Sequence, residues 1–376
     1  GNLIGRKSLQ VGRTTSRLTA GVDASYQDGA ILFYTLSATQ GRGTTLADNK
    51  GEGAQNVGAF LQDELTVTDR LSLLLGARWD QVSYQYRSFM ANAPVPKDSR
   101  QFSRVSPRLG VNLRVGAAHA LYANVGGGIE VPAGNETDPT PGAGPALLNP
   151  LLDPIRTTSY EAGIKSVATT FGPLAVGYDV EVTNDVIPYN AGRYYLTAGR
   201  SRRTGVEVGA QLNTTAGIFG NLAATFSRNR YLEYVVDSAV IFPNDPTKAG
   251  KIADYGGNEV TGIPPIVVNA ELGAGIPGLS ALRVRAGVEH SSKYFADDAN
   301  RVRVPGYTIG TAGLELRDAI PLGPVGLRGF VSVRNLTDRH YIGSAFLNPD
   351  LVNGAPAAYE PGMPRTVTVS VSLRKR

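Results

Sequence analysis

Cysteine is absent from all 376 residues, which excludes a disulfide framework and any thiolate metal site. Long apolar runs are missing too. No stretch approaches the roughly 20 uncharged apolar residues of a membrane-spanning helix, so a helical membrane protein is excluded although 42% of the residues are hydrophobic. Methionine occurs twice and tryptophan once, whereas glycine reaches 45 and tyrosine 17; this balance favours turns and strands over helices and makes the expected class all-β. The net charge of +5 is modest, and the arginines are scattered through strand-like segments. A nucleic-acid partner is therefore not expected. Residue 1 is Gly, with no charged and apolar leader behind it, so the N-terminus is expected to be a cut end.

What is present is a strict two-residue alternation. In the last segment Val367, Val369, Val371 and Leu373 alternate with Thr366, Thr368, Ser370, Ser372 and Arg374, which gives one strand an apolar and a polar face. Upstream, Leu282, Val284, Ala286 and Val288 alternate with Arg283, Arg285, Gly287 and Glu289, and Leu109, Val111, Leu113 and Val115 with Arg108, Gly110, Asn112 and Arg114. Similar runs at Leu18–Tyr26, Leu71–Trp79, Thr204–Leu212 and Val325–Val333 bring the number of predicted strands to about fifteen.

Their connections sort into two classes. Tight turns are predicted at Gln27–Ala30, Thr68–Leu71, Gly116–His119, Thr170–Pro173, Thr214–Phe219, Pro277–Ser280 and Asp318–Pro324. Long connections are expected near Gly41–Gly53, Ser88–Gln101, Glu130–Arg156, Asp185–Ser201, Val235–Thr261, Ser292–Pro305 and Asn335–Met363. A soluble sandwich has no reason to segregate loop length by edge. An outer-membrane barrel has short periplasmic turns, long extracellular loops, an apolar face toward lipid and a polar face toward the lumen, and closure satisfies every backbone group inside the bilayer. The expected fold is thus a transmembrane antiparallel β-barrel in the bacterial outer membrane. Tyr84, Tyr86, Tyr194, Tyr195, Tyr231, Tyr234, Tyr307 and Tyr341 fall near predicted strand ends, where an interfacial girdle would place them.

Several motifs are more specific. They are Asn56–Leu65 (NVGAFLQDEL) running into Leu71–Asp80 (LSLLLGARWD), then Ser106–Gly110 (SPRLG), Leu148–Pro154 (LNPLLDP) and Thr158–Lys165 (TSYEAGIK). Ala198–Glu207 (AGRSRRTGVE), Gly257–Pro264 (GNEVTGIP), Val333–Tyr341 (VRNLTDRHY) and Tyr359–Thr366 (YEPGMPRT) follow in order. With this series the chain resembles the TonB-dependent outer-membrane receptors, in particular the ferric-siderophore receptor group. The resemblance implies that residues 1–376 are the C-terminal part of a barrel of about 22 strands, with the globular plug and the first strands missing. It also implies TonB-dependent uptake of a scarce ligand, most simply a ferric siderophore. The implied partners are that ligand, the inner-membrane energy-coupling protein TonB acting through the missing N-terminal part, and outer-membrane lipid with lipopolysaccharide. A departure from the family is the terminus Leu373–Arg376, where an aromatic end is usual.

Within the implied extracellular loops, Arg193, Tyr194, Tyr195 and Arg200, near Arg202 and Arg203, are the candidate ligand contacts, since Arg and Tyr together bind an anionic, aromatic-rich chelate by charge and stacking. Lipopolysaccharide phosphates or an aromatic girdle account for the same residues. Gly126–Gly128 lacks the Lys and helix of a phosphate loop and reads as a flexible strand end. His119, His290 and His340 are dispersed without ligand spacing, so no metal site and no cofactor is expected. Asp297, Asp298 and Asn300 have the oxygen chemistry of a calcium loop, but a solvated acidic loop is the favoured reading. Hydrolase chemistry would need a compact Ser, His and Asp set, so no enzyme is expected. A passive porin is the alternative to an energised importer.

Overall fold

The alternation becomes one antiparallel sheet of 15 strands, each hydrogen-bonded to the next in chain order. The strands are β1 Asn2–Val11, β2 Thr14–Ser37, β3 Gly41–Thr66, β4 Leu71–Ser88, β5 Lys97–Arg114, β6 His119–Glu130, β7 Ile155–Ser166 and β8 Phe171–Tyr189. They continue as β9 Tyr194–Asn213, β10 Ile218–Glu233, β11 Ile266–Ile276, β12 Leu279–Ser291, β13 Tyr307–Leu322, β14 Val325–Arg334 and β15 Thr366–Lys375. This computed structural model describes residues 1–376 except 40, 92, 94, 133–135, 138–147, 150–151, 167–169, 190–193, 239–245, 249, 354 and 376. Among the described residues no pairing joins β1 to β15, which are the two ends of the strand order.

One face of the sheet is apolar and uncovered. Leu75, Val105, Leu109, Leu272, Val369 and Val371 all expose large side chains, an arrangement stable only against lipid. The opposite face carries the charges. Register decides this: Trp79 is paired with Val105 on the apolar side, while Arg78 and Asp80 turn to the other face, as the pattern over Leu71–Trp79 predicts.

The tight turns lie along one edge. Thr68 closes the turn before β4 by accepting from Leu71 N through its hydroxyl at 3.0 Å, and Thr214 does the same for Ile218 N at 3.0 Å. The predicted turn at Gln27–Ala30 is not formed. Instead β2 and β3 stay paired from Thr15–Thr66 up to Ser37–Gly41, so the Asp28-Gly29 turn signal yields to a continuous ladder. The predicted long connection at Gly41–Gly53 is consequently strand. At about 3.3 Å per residue, the 24 residues of β2 far exceed the roughly 25 Å apolar band. The hairpin therefore projects beyond it. For the same reason most of Asp185–Ser201 is paired, with Tyr189 opposite Tyr194, and Ser88–Gln101 is shortened by the start of β5 at Lys97.

Among the described residues, the cluster of buried apolar side chains is not inside the wall. It sits at the long-loop edge, where Ile187, Tyr189, Leu196, Ala198, Tyr231, Tyr234 and Val260 pack together. Tyr231 and Tyr234 are completely buried, which corrects their expected place in a lipid-facing girdle: a strand-end position does not reveal on which side of the wall a ring lies.

Candidate ligand-binding site

The long-loop edge gathers the candidate contacts and most of the polar burial. Arg193 lies outside the described residues, and Tyr194 opens β9 opposite Tyr189. Tyr195 is half-buried, and its carbonyl accepts a 2.8 Å hydrogen bond from Asn149 Nδ2, which fastens the connection between β6 and β7 to this hairpin. Arg100 supports the same connection by donating to Asn149 O at 2.7 Å. Arg200 is held between Glu181, at 3.0 Å, and Glu233. Its neighbours are likewise engaged, Arg202 with Asp179 and Arg203 with Asp185 at 2.6 Å.

Alternation along β9 sorts these arginines. Arg200 and Arg202 share a face with the exposed Val206 and Val208 and stand on the outside of the wall above the apolar band. Arg203 is on the other face, where Asp185 also accepts from Ser201 Oγ at 2.8 Å. The motif AGRSRRTGVE therefore serves two surfaces.

Below the rim, the polar face of β11 to β14 is a ladder of ion pairs. Arg283 meets Glu315 at 2.9 Å, Arg285 meets Glu271 at 3.3 Å, and Arg334 meets Glu289 at 2.5 Å. Each pair spans neighbouring or next-neighbouring strands. The alternation of Arg283, Arg285 and Glu289 with apolar residues is here a lumenal surface.

The acidic trio read as a calcium or solvated loop has neither character. Asp297 closes its own turn by accepting from Arg301 N at 2.8 Å and Val302 N at 2.6 Å, and Asn300 bonds the main chain of Glu259 in both directions, at 2.8 and 3.0 Å. Asp298 is 1% exposed and sits among the hydroxyls of Tyr189, Tyr231 and Tyr234. Burial pushes its carboxyl above the usual range, while the hydrogen bonds from Tyr231, Tyr234, Asn348 and Tyr189 pull it back in part. Among the described residues no cluster of three or more His, Cys, Asp or Glu could hold a metal. Sequence reasoning missed this centre because its members are 37 to 109 residues apart; of them, only the pair Tyr231 and Tyr234 and the acid Asp298 were singled out, each for another role.

A 15-stranded wall with one lipid-type face, a charged inner face and a structured loop edge is a membrane barrel surface. A family model described as TonB dependent receptor-like, beta-barrel matches residues 1–336. The chain belongs to the TonB-dependent receptors. It is an outer-membrane β-barrel chain. Among curated proteins, the ferrioxamine receptor of Yersinia enterocolitica is 27% identical over 323 residues, 83% of this chain and 39% of that protein. The ferrichrome outer membrane transporter/phage receptor of Escherichia coli K12 is 23% identical over 299 residues, 78% of this chain and 35% of that protein. The chain thus spans less than half the length of the curated relatives it matches. Among solved structures, the siderophore receptor PiuA from Acinetobacter baumannii superposes with a TM-score of 0.74 at 17% identity, covering 98% of this chain and 55% of that one. The unliganded ferric citrate transporter FecA gives a TM-score of 0.77 at 16% identity, covering 100% and 54%. At these identities the likeness is one of fold.

Proposed function

We propose that this chain forms barrel wall and extracellular rim of a receptor that imports a ferric siderophore across the outer membrane, driven by the inner-membrane protein TonB. The observation that carries the reading is the family match over residues 1–336, joined by relatives named for ferrioxamine and ferrichrome. The geometry supports capture rather than passive permeation: the loop edge is tied into a packed, hydrogen-bonded rim. Ligand contact runs through the β8–β9 tip that bears Arg193, Tyr194 and Tyr195, with Arg200 anchoring that tip through Glu181 and Glu233. On the outer face, Arg200 and Arg202 would meet lipopolysaccharide phosphates in competition with the carboxylates of Glu181, Glu233 and Asp179.

The test is uptake of radioiron-loaded ferrioxamine and ferrichrome by cells that lack or carry the complete gene, with and without a functional TonB. Saturable, TonB-dependent accumulation is expected. Accumulation that is linear in ligand and indifferent to TonB would establish the porin reading instead.

A further inference from the structure

Asp298 belongs to the connection between β12 and β13, yet its hydrogen-bond partners come from elsewhere. Tyr231, at the end of β10, donates to Oδ1 at 2.8 Å, and Thr261 donates to the same oxygen at 3.2 Å. The other oxygen, Oδ2, accepts from Tyr234 at 2.9 Å, from Tyr189 at the end of β8 at 3.0 Å, and from Asn348 Nδ2 at 3.0 Å. The main chain of the same residue is used as well. Asn258 Nδ2 donates to Asp298 O at 2.7 Å, and Asp298 N donates to Asn348 Oδ1 at 3.1 Å.

A connecting loop ordinarily leaves its acids in water, because a buried carboxyl without partners is heavily penalised. Here five donors from four separate stretches of chain converge on one carboxyl, and apolar neighbours including Ile187, Leu196 and Val260 keep water away. Exclusion of water strengthens each bond and makes the set interdependent. Asn348 extends the tie by donating to Pro188 O at 2.9 Å and through its main chain to Ala296 O at 2.7 Å. Tyr189 is paired with Tyr194 across the β8–β9 hairpin, so the start of β9, with Tyr194 and Tyr195, is one residue pair from the centre.

We propose that Asp298 is a positioning residue for ligand capture, the carboxyl around which the ends of β8 and β10 and the connections after β10, β12 and β14 assemble into one preformed rim. The proposal rests on the importer reading above. A rim already assembled before the ligand arrives spares the ordering cost that separate loops would incur on binding. The tyrosine hydroxyls are consumed internally, so Tyr189, Tyr231 and Tyr234 act through the rim's shape and not by touching the ligand.

The experiment uses the full-length receptor with Asp298→Ala, Asp298→Asn and, as a control in the same loop, Asp297→Ala, whose side chain accepts from the main chain of its own turn and pairs with Arg301. Amide hydrogen exchange of the purified receptor is followed at 185–189, 194–198, 258–263, 296–302 and 346–350, together with uptake of iron-loaded ferrioxamine by cells. With Asp298→Ala, exchange is expected to rise about tenfold in all of these segments at once. The half-saturating ligand concentration should rise about tenfold while the maximal uptake rate stays within about twofold. Asp298→Asn, which keeps one acceptor oxygen, should be intermediate, and Asp297→Ala should loosen 296–302 alone. Exchange that rises only around 296–302 in Asp298→Ala would overturn the proposal, as would a fall in maximal rate with unchanged half-saturation. Absence of ferrioxamine and ferrichrome uptake by the unmodified receptor would instead remove the importer reading, and the exchange pattern would still decide whether Asp298 is the tie.

Discussion

The guanidinium of Arg78 on β4 passes over β3 and grips the carboxylate of Asp23 on β2, at 2.8 and 2.9 Å. The two strands are not neighbours, and the reach is possible because β3 has Gly58 at the crossing. A Cβ at Gly58 would come within 2.1 Å of Arg78 Nη2 and 3.1 Å of Asp23 Oδ1. Gly58 lies opposite both Asp23 and Asp80, so glycine is required here for space, not for backbone freedom.

Gly58→Val should therefore break a three-strand tether. The pair is only partly exposed, 35% and 31%, and losing it should cost roughly 1–2 kcal/mol in urea unfolding of the detergent-folded receptor. Arg78→Met should cost a similar amount. Their combination should cost little more than either alone, because both remove the same contact. Additive losses in that double-mutant cycle would mean that Gly58 matters for another reason.

The second expectation concerns the two faces of β15. Val369 is 64% exposed and paired with the outward Val331, whereas Ser370 is paired with Phe330 on the other side. Val369→Arg should cost about 2–4 kcal/mol near the bilayer midplane, and Ser370→Arg far less. Reversible folding into phospholipid vesicles measures both, and equal costs would contradict the assigned faces.

A third expectation follows from the burial of Asp298, whose carboxyl is raised above its ordinary range. A carboxyl with a raised folded-state pKa favours its protonated form in the fold. Its contribution to rim stability is full below the ordinary aspartate range and is lost as pH climbs through the raised value. Exchange at 258–263 and 346–350, corrected for intrinsic amide rates, should thus speed up as pH rises from the ordinary aspartate range through the raised value. Asp298→Asn should flatten that dependence. An unchanged profile in the variant would assign it to another group.

The wall was readable in the sequence because each strand carries its instructions locally. Val367, Val369 and Val371 need only their own spacing to declare a face, and Leu71, Leu73, Leu75 and Trp79 behave likewise. Strand ends were less legible. Asp28 and Gly29 have good turn chemistry, but pairing of Asp28 with Gly53 and of Gly29 with Glu52 continues the ladder through them, a choice made by the partner strand. The rim was least legible. Tyr231 and Asp298 are 67 residues apart and Tyr189 and Asp298 are 109 apart, and no periodicity announces that a loop acid and strand-end tyrosines will share one buried volume. The pairing of Arg200 with Glu181 and Glu233 was hidden for the same reason.

The ladder of Arg283 with Glu315, Arg285 with Glu271 and Arg334 with Glu289 gives the inner surface of β11 to β14 a particular texture. A lone ion projects a potential that fades slowly with distance, whereas a contact pair of opposite ions behaves as a dipole whose potential fades faster. Over these three pairs a charged solute meets shallow wells in place of deep ones. Such a surface wets readily and, with each of these charges neutralised at contact, holds an ion of either sign only weakly.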